Sequence, residues 1–357
     1  MEVSDGPRVV VRDAIMRGRL AVTGSTARVE LKGVKVFGLG QPSAPSGRRL
    51  AKGGGDSPSA FAITLSGGTV TLEDAEIADT LEGAINITRG SLALTRCTLR
   101  DNHADAGAAL SVSGGRVNIR DSILHNNHAN SSTTGGGAVY VSAAADVSMT
   151  NTTFQDNSAR NGGGAVYVDG SGSNTDFYAG PPGMFTSDTN VKLDKCLVLR
   201  NVAKKGGGIF TSKAHFTIGN STVEANTAST LGAGLYVLAY TEIQNTHIIG
   251  NAATQKGGGL YAGGCPMTDI SYISLSNGPE ERVCAFLSDG TLLTGNSAGG
   301  SGATFECAAD DGQTMSEGIV AYSRPGVPGH YVEDSTPAPF SVYLGGEVVA
   351  GEIPPLW

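Results

Sequence analysis

The sequence has little positive charge, few aromatic residues and no long apolar run. Its 357 residues include 25 Lys and Arg against 33 Asp and Glu, so the formal net charge is −8. This balance offers no basic face to a phosphate backbone and argues against a nucleic acid partner. No stretch is long and apolar enough for a transmembrane helix, and Met1 precedes Glu2 and Asp5 rather than a basic and then apolar segment. We therefore expect no transmembrane segment and no signal peptide within this chain.

Glycine, in contrast, is abundant at 52 residues, and a glycine-containing sequence motif, which we call the phrase, recurs along the chain. The phrase reads FQDNSARNGGGAVYV from Phe154 and returns as VEANTASTLGAGLYV from Val223 and IIGNAATQKGGGLYA from Ile248. Its Asn serves as an anchor for alignment, and the intervals between anchors are 25, 30, 44, 25, 25 and 45 residues. The anchors are Asn102, Asn127, Asn157, Asn201, Asn226, Asn251 and Asn296. Two positions after each anchor stands an alanine: Ala104, Ala129, Ala159, Ala203, Ala228, Ala253 and Ala298.

The residues before each anchor alternate between apolar and polar, as in VNIRDSIL and VSMTNTTF. A local period of two predicts strands rather than helices. One coil cannot bury its own apolar face, whereas coils stacked at roughly 4.8 Å align equivalent residues into continuous ladders. The base period of 25 residues therefore predicts an all-β, single-stranded parallel β-helix, a solenoid with about three short strands per coil.

The recurring glycines and asparagines are predicted to form the corners of each coil. Glycine permits a positive φ at a tight corner and allows successive coils to approach closely. The anchor Asn is predicted to adopt the left-handed turn conformation and to form hydrogen bonds from coil to coil through its side chain. Each coil repeats the phrase because each coil turns the same corner.

The phrase resembles a known repeat. F/L-x-x-N followed by G-G-A-[VIL], here FQDN with GGAV and VEAN with GAGL, is similar to polymorphic outer-membrane protein repeats and to related right-handed parallel β-helix (pectin lyase-like) proteins. The resemblance covers about residues 92–305. It implies a right-handed solenoid and a secreted or cell-surface protein, often an adhesin, with this chain as part of a longer polypeptide.

The predicted organisation has two parts. Residues 1–305 form the β-helix, with degenerate coils over 1–90 and regular repeats over 91–305, interrupted by insertions at 169–190 and 263–289. Residues 306–357 form a non-repetitive C-terminal cap or linker. The insertions are either binding loops or tolerated length variation, and both interpretations stay open.

Cysteine is scarce, with 5 residues, and no Cys/His spacing indicates zinc. Cys265 and Cys284 bracket the second insertion and can staple it as a disulfide, which suits an oxidising compartment. Cys97 and Cys196 occupy one repeat position three coils apart, roughly 14 Å at the inter-strand spacing, which is too far for a disulfide. They are predicted to be small buried residues.

No catalytic residue emerges from the pattern. GNSAG at residues 295–299 matches the G-x-S-x-G pattern of a nucleophilic serine, but it contains the anchor Asn296, so Ser297 has a structural interpretation. The acidic residues show no converging pair of the kind that glycoside hydrolysis requires. His103, His125 and His128 form one local cluster, which is either a metal or pH-sensing site or a set of turn residues.

The sequence therefore favours a non-catalytic extracellular or cell-surface repeat protein, adhesin-like or wall-associated, that binds glycan or a surface protein. We expect no cofactor. The alternative is a carbohydrate-active enzyme, a polysaccharide lyase or a glycoside hydrolase, because the β-helix fold also carries such enzymes. Fold by itself does not distinguish the two.

The alanine column predicts the effect of one substitution. Ala159→Leu overpacks the corner between neighbouring coils and is expected to lower the free energy of unfolding by about 1 to 3 kcal/mol. Urea denaturation of the variant and the parent chain measures the difference. An unchanged unfolding midpoint would contradict the alignment on Asn anchors.

Overall fold

A computed structural model describes residues 1–6, 8–37, 61–170, 189–238, 241–263 and 291–300, and the backbone of strands within 283–288, 305–308, 319–323, 341–344 and 347–350. Strands of successive coils pair in parallel and form four sheets, which we name A to D in the order in which the chain visits them. One coil shows the path: Leu110–Val112 lies in sheet A, Gly115–Arg120 in sheet B, Ile123–His125 in sheet C and His128–Ala129 in sheet D. Val139–Ser142 then returns to sheet A.

Sheet B has strands of four to six residues, and sheet A has strands of two to four residues. Sheet A contains Glu2–Val3, Leu20–Val22, Ile63–Leu65, Ile85–Ile87, Leu110–Val112, Val139–Ser142, Val166–Asp169, Ile209–Ser212, Leu235–Leu238, Leu260–Gly263 and Phe305–Ala308. Sheet B contains Val9–Arg12, Arg28–Lys32, Thr69–Glu73, Ser91–Thr95, Gly115–Arg120, Ala145–Thr150, Asn190–Asp194, His215–Gly219, Thr241–Gln244, Val283–Ser288, Ile319–Ser323, Ser341–Leu344 and Glu347–Ala350.

Strands of sheet C have three residues each, and strands of sheet D have two to five. Sheet C contains Ile15–Arg17, Lys35–Phe37, Glu76–Ala78, Thr98–Arg100, Ile123–His125, Thr153–Gln155, Leu197–Leu199, Thr222–Glu224, His247–Ile249 and Leu292–Thr294. Sheet D contains His103–Ala104, His128–Ala129, Ser158–Ala159, Val202–Lys205, Thr227–Leu231, Ala252–Ala253 and Ser297–Ala298.

This topology confirms the predicted all-β fold, a single-stranded right-handed parallel β-helix. Three strands per coil are present from the N-terminal coils onward, and sheet D adds a fourth, very short strand from His103–Ala104. The fourth strand arises because the alanine after each anchor is small enough to face inward at a tight bend.

The C-terminal part continues two of the sheets. Residue 305, the predicted end of the β-helix, is the first residue of Phe305–Ala308 in sheet A. Ile319–Ser323 then pairs in parallel with Val283–Ser288 in sheet B. Ser341–Leu344 extends the sheet, and Glu347–Ala350 pairs with it in the antiparallel direction.

The core is a set of inward-facing columns that run through the coils. Leu99, Leu124, Phe154 and Val198 pair from strand to strand in sheet C, and none of the four is exposed to solvent. Their outward neighbours alternate with them, as the period of two requires. Stacking therefore buries an apolar face that no single coil could bury.

The anchor asparagines form a buried ladder at the junction of sheets C and D. The amide Nδ2 of Asn157 donates to Oδ1 of Asn201 at 3.0 Å and to the carbonyl oxygen of Leu124 at 2.9 Å. The backbone N–H of Asn157 donates to the same Oδ1 at 3.0 Å. The pattern repeats from Asn102 to Asn296, and the Thr80 hydroxyl begins it by donating to Oδ1 of Asn102 at 2.8 Å.

The corner conformation differs from the prediction. None of the anchors has a positive φ, whereas the residue before each anchor does: Asp101, Asn126, Asp156, Arg200, Ala225, Gly250 and Gly295, with φ between 52° and 63°. The left-handed residue turns the chain so that the Asn side chain points inward. The anchor itself is held by its amide hydrogen bonds.

In each glycine run of the phrase one glycine has a positive φ, a conformation that other residues rarely adopt. Gly163 has φ +58°, and a Cβ atom there would lie 2.3 Å from the carbonyl oxygen of Val166. An L side chain is excluded at this corner by both strain and contact. The run of glycines therefore marks the return from sheet D to sheet A.

The two cysteines of the regular coils are small core residues. Cys97 and Cys196 are free thiols with no solvent exposure. Burial raises the pKa of both thiols, that of Cys196 to about 11. They are protonated at neutral pH and shielded from oxidants.

The ladder generates a stability prediction. Asn201→Ala removes the acceptor of two hydrogen bonds from Asn157. The buried backbone N–H of Asn157 then has no partner, and its amide Nδ2 keeps only the carbonyl oxygen of Leu124. The free energy of unfolding is expected to fall by about 3 kcal/mol in urea denaturation. The matched control is Asn118→Ala on the outer face of sheet B, expected to change it by about 0.5 kcal/mol at most. Equal effects of the two variants would contradict a stabilising ladder.

Candidate functional site

Arg96 joins acidic residues of the preceding coil on the outer surface. Its Nε lies 2.7 Å from Oδ1 of Asp74, and its Nη2 lies 2.5 Å from Oε1 of Glu73. Lys32, one coil earlier, contacts the other oxygen of Glu73 at 3.2 Å. Hydrogen bonds from Arg96 lower the pKa of both carboxyls. The two acids are therefore ionised at neutral pH and paired.

Arg100 forms a second such cluster on sheet C. Its Nη2 and Nε lie 2.6 and 2.9 Å from Oε1 of Glu76, and its Nη1 lies 2.5 Å from Oδ2 of Asp101. The hydrogen bonds from Arg100 lower the pKa of Glu76. At Asp101 partial burial acts to raise the pKa, but hydrogen bonds from Arg100 and Asn126 outweigh it and the pKa is lowered.

The same direction holds for each described carboxyl whose pKa departs clearly from its usual value. These carboxyls belong to Asp5, Glu30, Glu73, Asp74, Glu76, Asp101 and Asp156. Acid-catalysed cleavage of a glycosidic bond needs a carboxyl that stays protonated near neutral pH, which requires a raised pKa. The shifts in these coils suit structural ion pairs instead.

The structure brings together two of the three histidines of the predicted cluster. His103 and His128 pair on neighbouring strands of sheet D, and their rings stack with centroids 5.0 Å apart. Nδ1 of His128 lies 2.6 Å from the hydroxyl of Ser158 on the next coil. His125 lies on sheet C, between Arg100 and Gln155 of the neighbouring strands. Within the described residues no three His, Cys, Asp or Glu side chains are grouped to hold a metal ion.

The remaining sequence candidates are distributed over other parts of the chain. Ser297 lies on sheet D, pairs with Ala252 and follows the ladder residue Asn296. The side chains of Cys265 and Cys284 lie outside the described residues, as does most of both insertions. Their predicted disulfide and binding roles stay predictions.

A column of aromatic rings on sheet A is a feature that the repeat pattern did not reveal. Tyr140, Tyr167, Phe210, Tyr236 and Tyr261 pair on successive strands. Successive ring centroids are 5.6, 4.3, 5.1 and 4.9 Å apart, and the last four rings are no more than 8% exposed. Since the rings cover one another's faces, the column offers no open platform on which a sugar could stack.

The spacing explains why alignment on the anchors does not predict this column. Its residues stand 13, 10, 9, 10 and 10 positions after their anchors, because the glycine-rich return from sheet D varies in length. The dipeptides that contain the rings read VY, VY, IF, LY and LY. Each ring stands four residues after the glycine with a positive φ: Gly136, Gly163, Gly206, Gly232 and Gly257.

The fold and surface define a right-handed parallel β-helix with a charged exterior. Residues 151–169 match the Chlamydia polymorphic membrane protein repeat, which confirms the repeat resemblance. A search of curated proteins found no match. Among solved structures, the crystal structure of the periplasmic alginate epimerase AlgG is similar, with 9% identity, a TM-score of 0.48, and coverage of 90% of this chain and 75% of that one. A likeness at this level carries no argument about activity.

Over the described part of the chain, no helix has the length and apolar character needed to cross a membrane.

The ion pairs generate a prediction about titration. Arg100→Met removes the hydrogen bonds that lower the pKa of Glu76, so that pKa is expected to rise in a ¹³C NMR titration of the side-chain carboxyls. Because the folded-state pKa of the parent carboxyl is depressed, its stabilising contribution is present at neutral pH and is lost as the pH falls through that value. The matched control, Arg89→Met, removes an exposed guanidinium from outside the described ion pairs. A Glu76 pKa that is already raised in the parent chain would contradict this assignment.

Proposed function

We propose that the chain is a non-catalytic repeat protein, secreted or displayed at the cell surface, that binds a glycan or a protein partner. Its role is adhesin-like or wall-associated. The proposal is supported by one observation above all: acidic side chains on the surface are ionised and paired with arginines. Arg96 and Arg100 pair with the acids of their neighbourhood, which supports a solubilising and stabilising role for those acids rather than a chemical one.

The arrangement of the coils also supports a scaffold. In the described coils the inward columns are used in packing and in the asparagine ladder, so it is the outward residues of these coils that are available to a partner. A solenoid presents such residues as a long surface of fixed spacing, which is how repeat proteins bind extended ligands. The match of residues 151–169 to a repeat of polymorphic membrane proteins supports a location at a cell surface.

A binding screen with a chemical readout tests the proposal. The purified chain is applied to a glycan array and to an array of surface proteins, and each bound polysaccharide is then incubated with the chain. New reducing ends, unsaturated sugars and changes in the ¹H NMR spectrum of the polysaccharide are measured. Binding with an unchanged polysaccharide is the expected result.

The control is the same chain after heat unfolding, because a property of the solenoid surface requires the fold. Turnover of any polysaccharide by the folded chain would overturn the proposal in favour of a carbohydrate-active enzyme. Absence of binding to both arrays would also contradict it.

A further inference from the structure

Over its later coils, the sheet D side of the solenoid has the opposite charge from the chain as a whole. The segment that follows the first anchor, 102–109, contains Asp105. The segments that run from the next five anchors through sheet D to the glycines are 127–138, 157–165, 201–208, 226–234 and 251–259. Together they contain no Asp or Glu, but they contain Arg160, Lys204, Lys205 and Lys256. We name these four residues the basic strip. It belongs to a chain with a formal net charge of −8.

The four residues lie close together because of the register of the coils. Arg160 and Lys204 each stand three positions after their anchors, on adjacent coils. Lys205 pairs with Leu231, and Leu231 pairs with Lys256 on the following coil. The basic strip therefore crosses four successive coils and extends roughly 14 Å along the solenoid axis at the inter-strand spacing.

Two of the four cations are not neutralised by a carboxylate of the described coils. Arg160 and Lys204 are exposed and take part in no ion pair within the described ranges, in contrast to Arg96, Arg100 and Arg200. An exposed cation without a carboxylate partner retains its full attraction for an external anion.

Lys205 is held in place by the aromatic column. Its Nζ lies 5.1 Å from the centroid of the Tyr236 ring, which is itself stacked between Phe210 and Tyr261. The contact orders a long side chain before any ligand arrives, which reduces the entropy lost on binding. The buried aromatic rings thus position a surface charge.

The surroundings of the basic strip favour one kind of anion. Thr227, Ser229, Thr254 and Gln255 are exposed beside it and add hydrogen-bonding groups, while Val202 is the exposed large apolar residue. The cores of protein interfaces are enriched in aromatic residues, and single-stranded nucleic acids stack on open rings. The rings near this surface are stacked on one another instead.

We propose that the basic strip binds an anionic polysaccharide that lies along the solenoid axis, with its carboxylate or sulfate groups paired to Arg160, Lys204, Lys205 and Lys256. The planar guanidinium of Arg160 can bind a carboxylate through two hydrogen bonds, and the ammonium groups act as point charges. This inference rests on the proposed function, because it names a ligand class and a surface for the same scaffold.

The test compares charged and neutral polysaccharides. Affinities of the whole chain for heparin, polygalacturonate and dextran are measured by biolayer interferometry at low and high salt. Heparin or polygalacturonate is expected to bind, more weakly as salt rises, and dextran is not. Arg160→Gln with Lys204→Gln is expected to weaken this binding about fivefold.

The matched control is Lys192→Gln with Lys195→Gln, which removes two positive charges from exposed positions on the coil of Lys204 but away from sheet D. This variant is expected to bind like the parent, and circular dichroism checks that both variants are folded. An equal loss in both variants, or tighter binding of single-stranded DNA than of either polysaccharide, would overturn the inference.

The remaining outcomes separate the inference from the proposed function. Binding of neutral glycans or proteins alone would overturn the basic strip as the site and leave the scaffold proposal standing. Cleavage of a bound polysaccharide, with the variant still weakened, would overturn the scaffold proposal and support the basic strip.

Discussion

The whole molecule depends on hydrogen bonding between coils. In the described coils from residue 1 to residue 300, each strand is paired in parallel with strands of the coils before and after it rather than with a strand of its own coil. The asparagine ladder adds side-chain pairing to this backbone pairing: each buried Oδ1 accepts from two donors of the preceding coil. Buried amides without partners are costly, so the anchors must align. Alignment of the anchors in turn sets the register of all four sheets.

Because register is set between coils, the corners can hold conformations that their residues do not prefer. Arg200 and Ala225 have φ near +50°, where an L residue without a short polar side chain is strained by roughly 1 to 2 kcal/mol. The strands on both sides of each corner are paired with two neighbours, and the next anchor must enter the ladder. The position of the next anchor in the ladder therefore determines the backbone conformation of the corner residue. This explains why residues as different as Arg200 and Ala225 share one backbone conformation.

Features at a constant distance from the anchor could be predicted from the sequence, and features at a variable distance could not. The apolar columns, the alanines and the period lie at fixed offsets, so alternation and repetition predicted the solenoid. The sequence predicts the left-handed conformation for Asn157 and its equivalents because asparagine tolerates it. In the structure the Asn157 amide belongs to the ladder, and Asp156 adopts the left-handed conformation instead. The aromatic column stands beyond a return of variable length. The ion pairs of Arg96 and Arg100 depend on outward residues, which no packing constraint repeats.

This division between inward and outward residues also bears on function. The ladder and the core occupy the inward positions of every coil, so differences between coils are confined to the exterior. Acids of the earlier coils, such as Glu73 and Glu76, are paired with arginines one coil away, and their fields largely cancel. On sheet D the later coils carry Arg160 and Lys204 without acidic neighbours. An external anion therefore meets a charge that varies along the axis, and an extended ligand aligned with the axis can contact several coils at once.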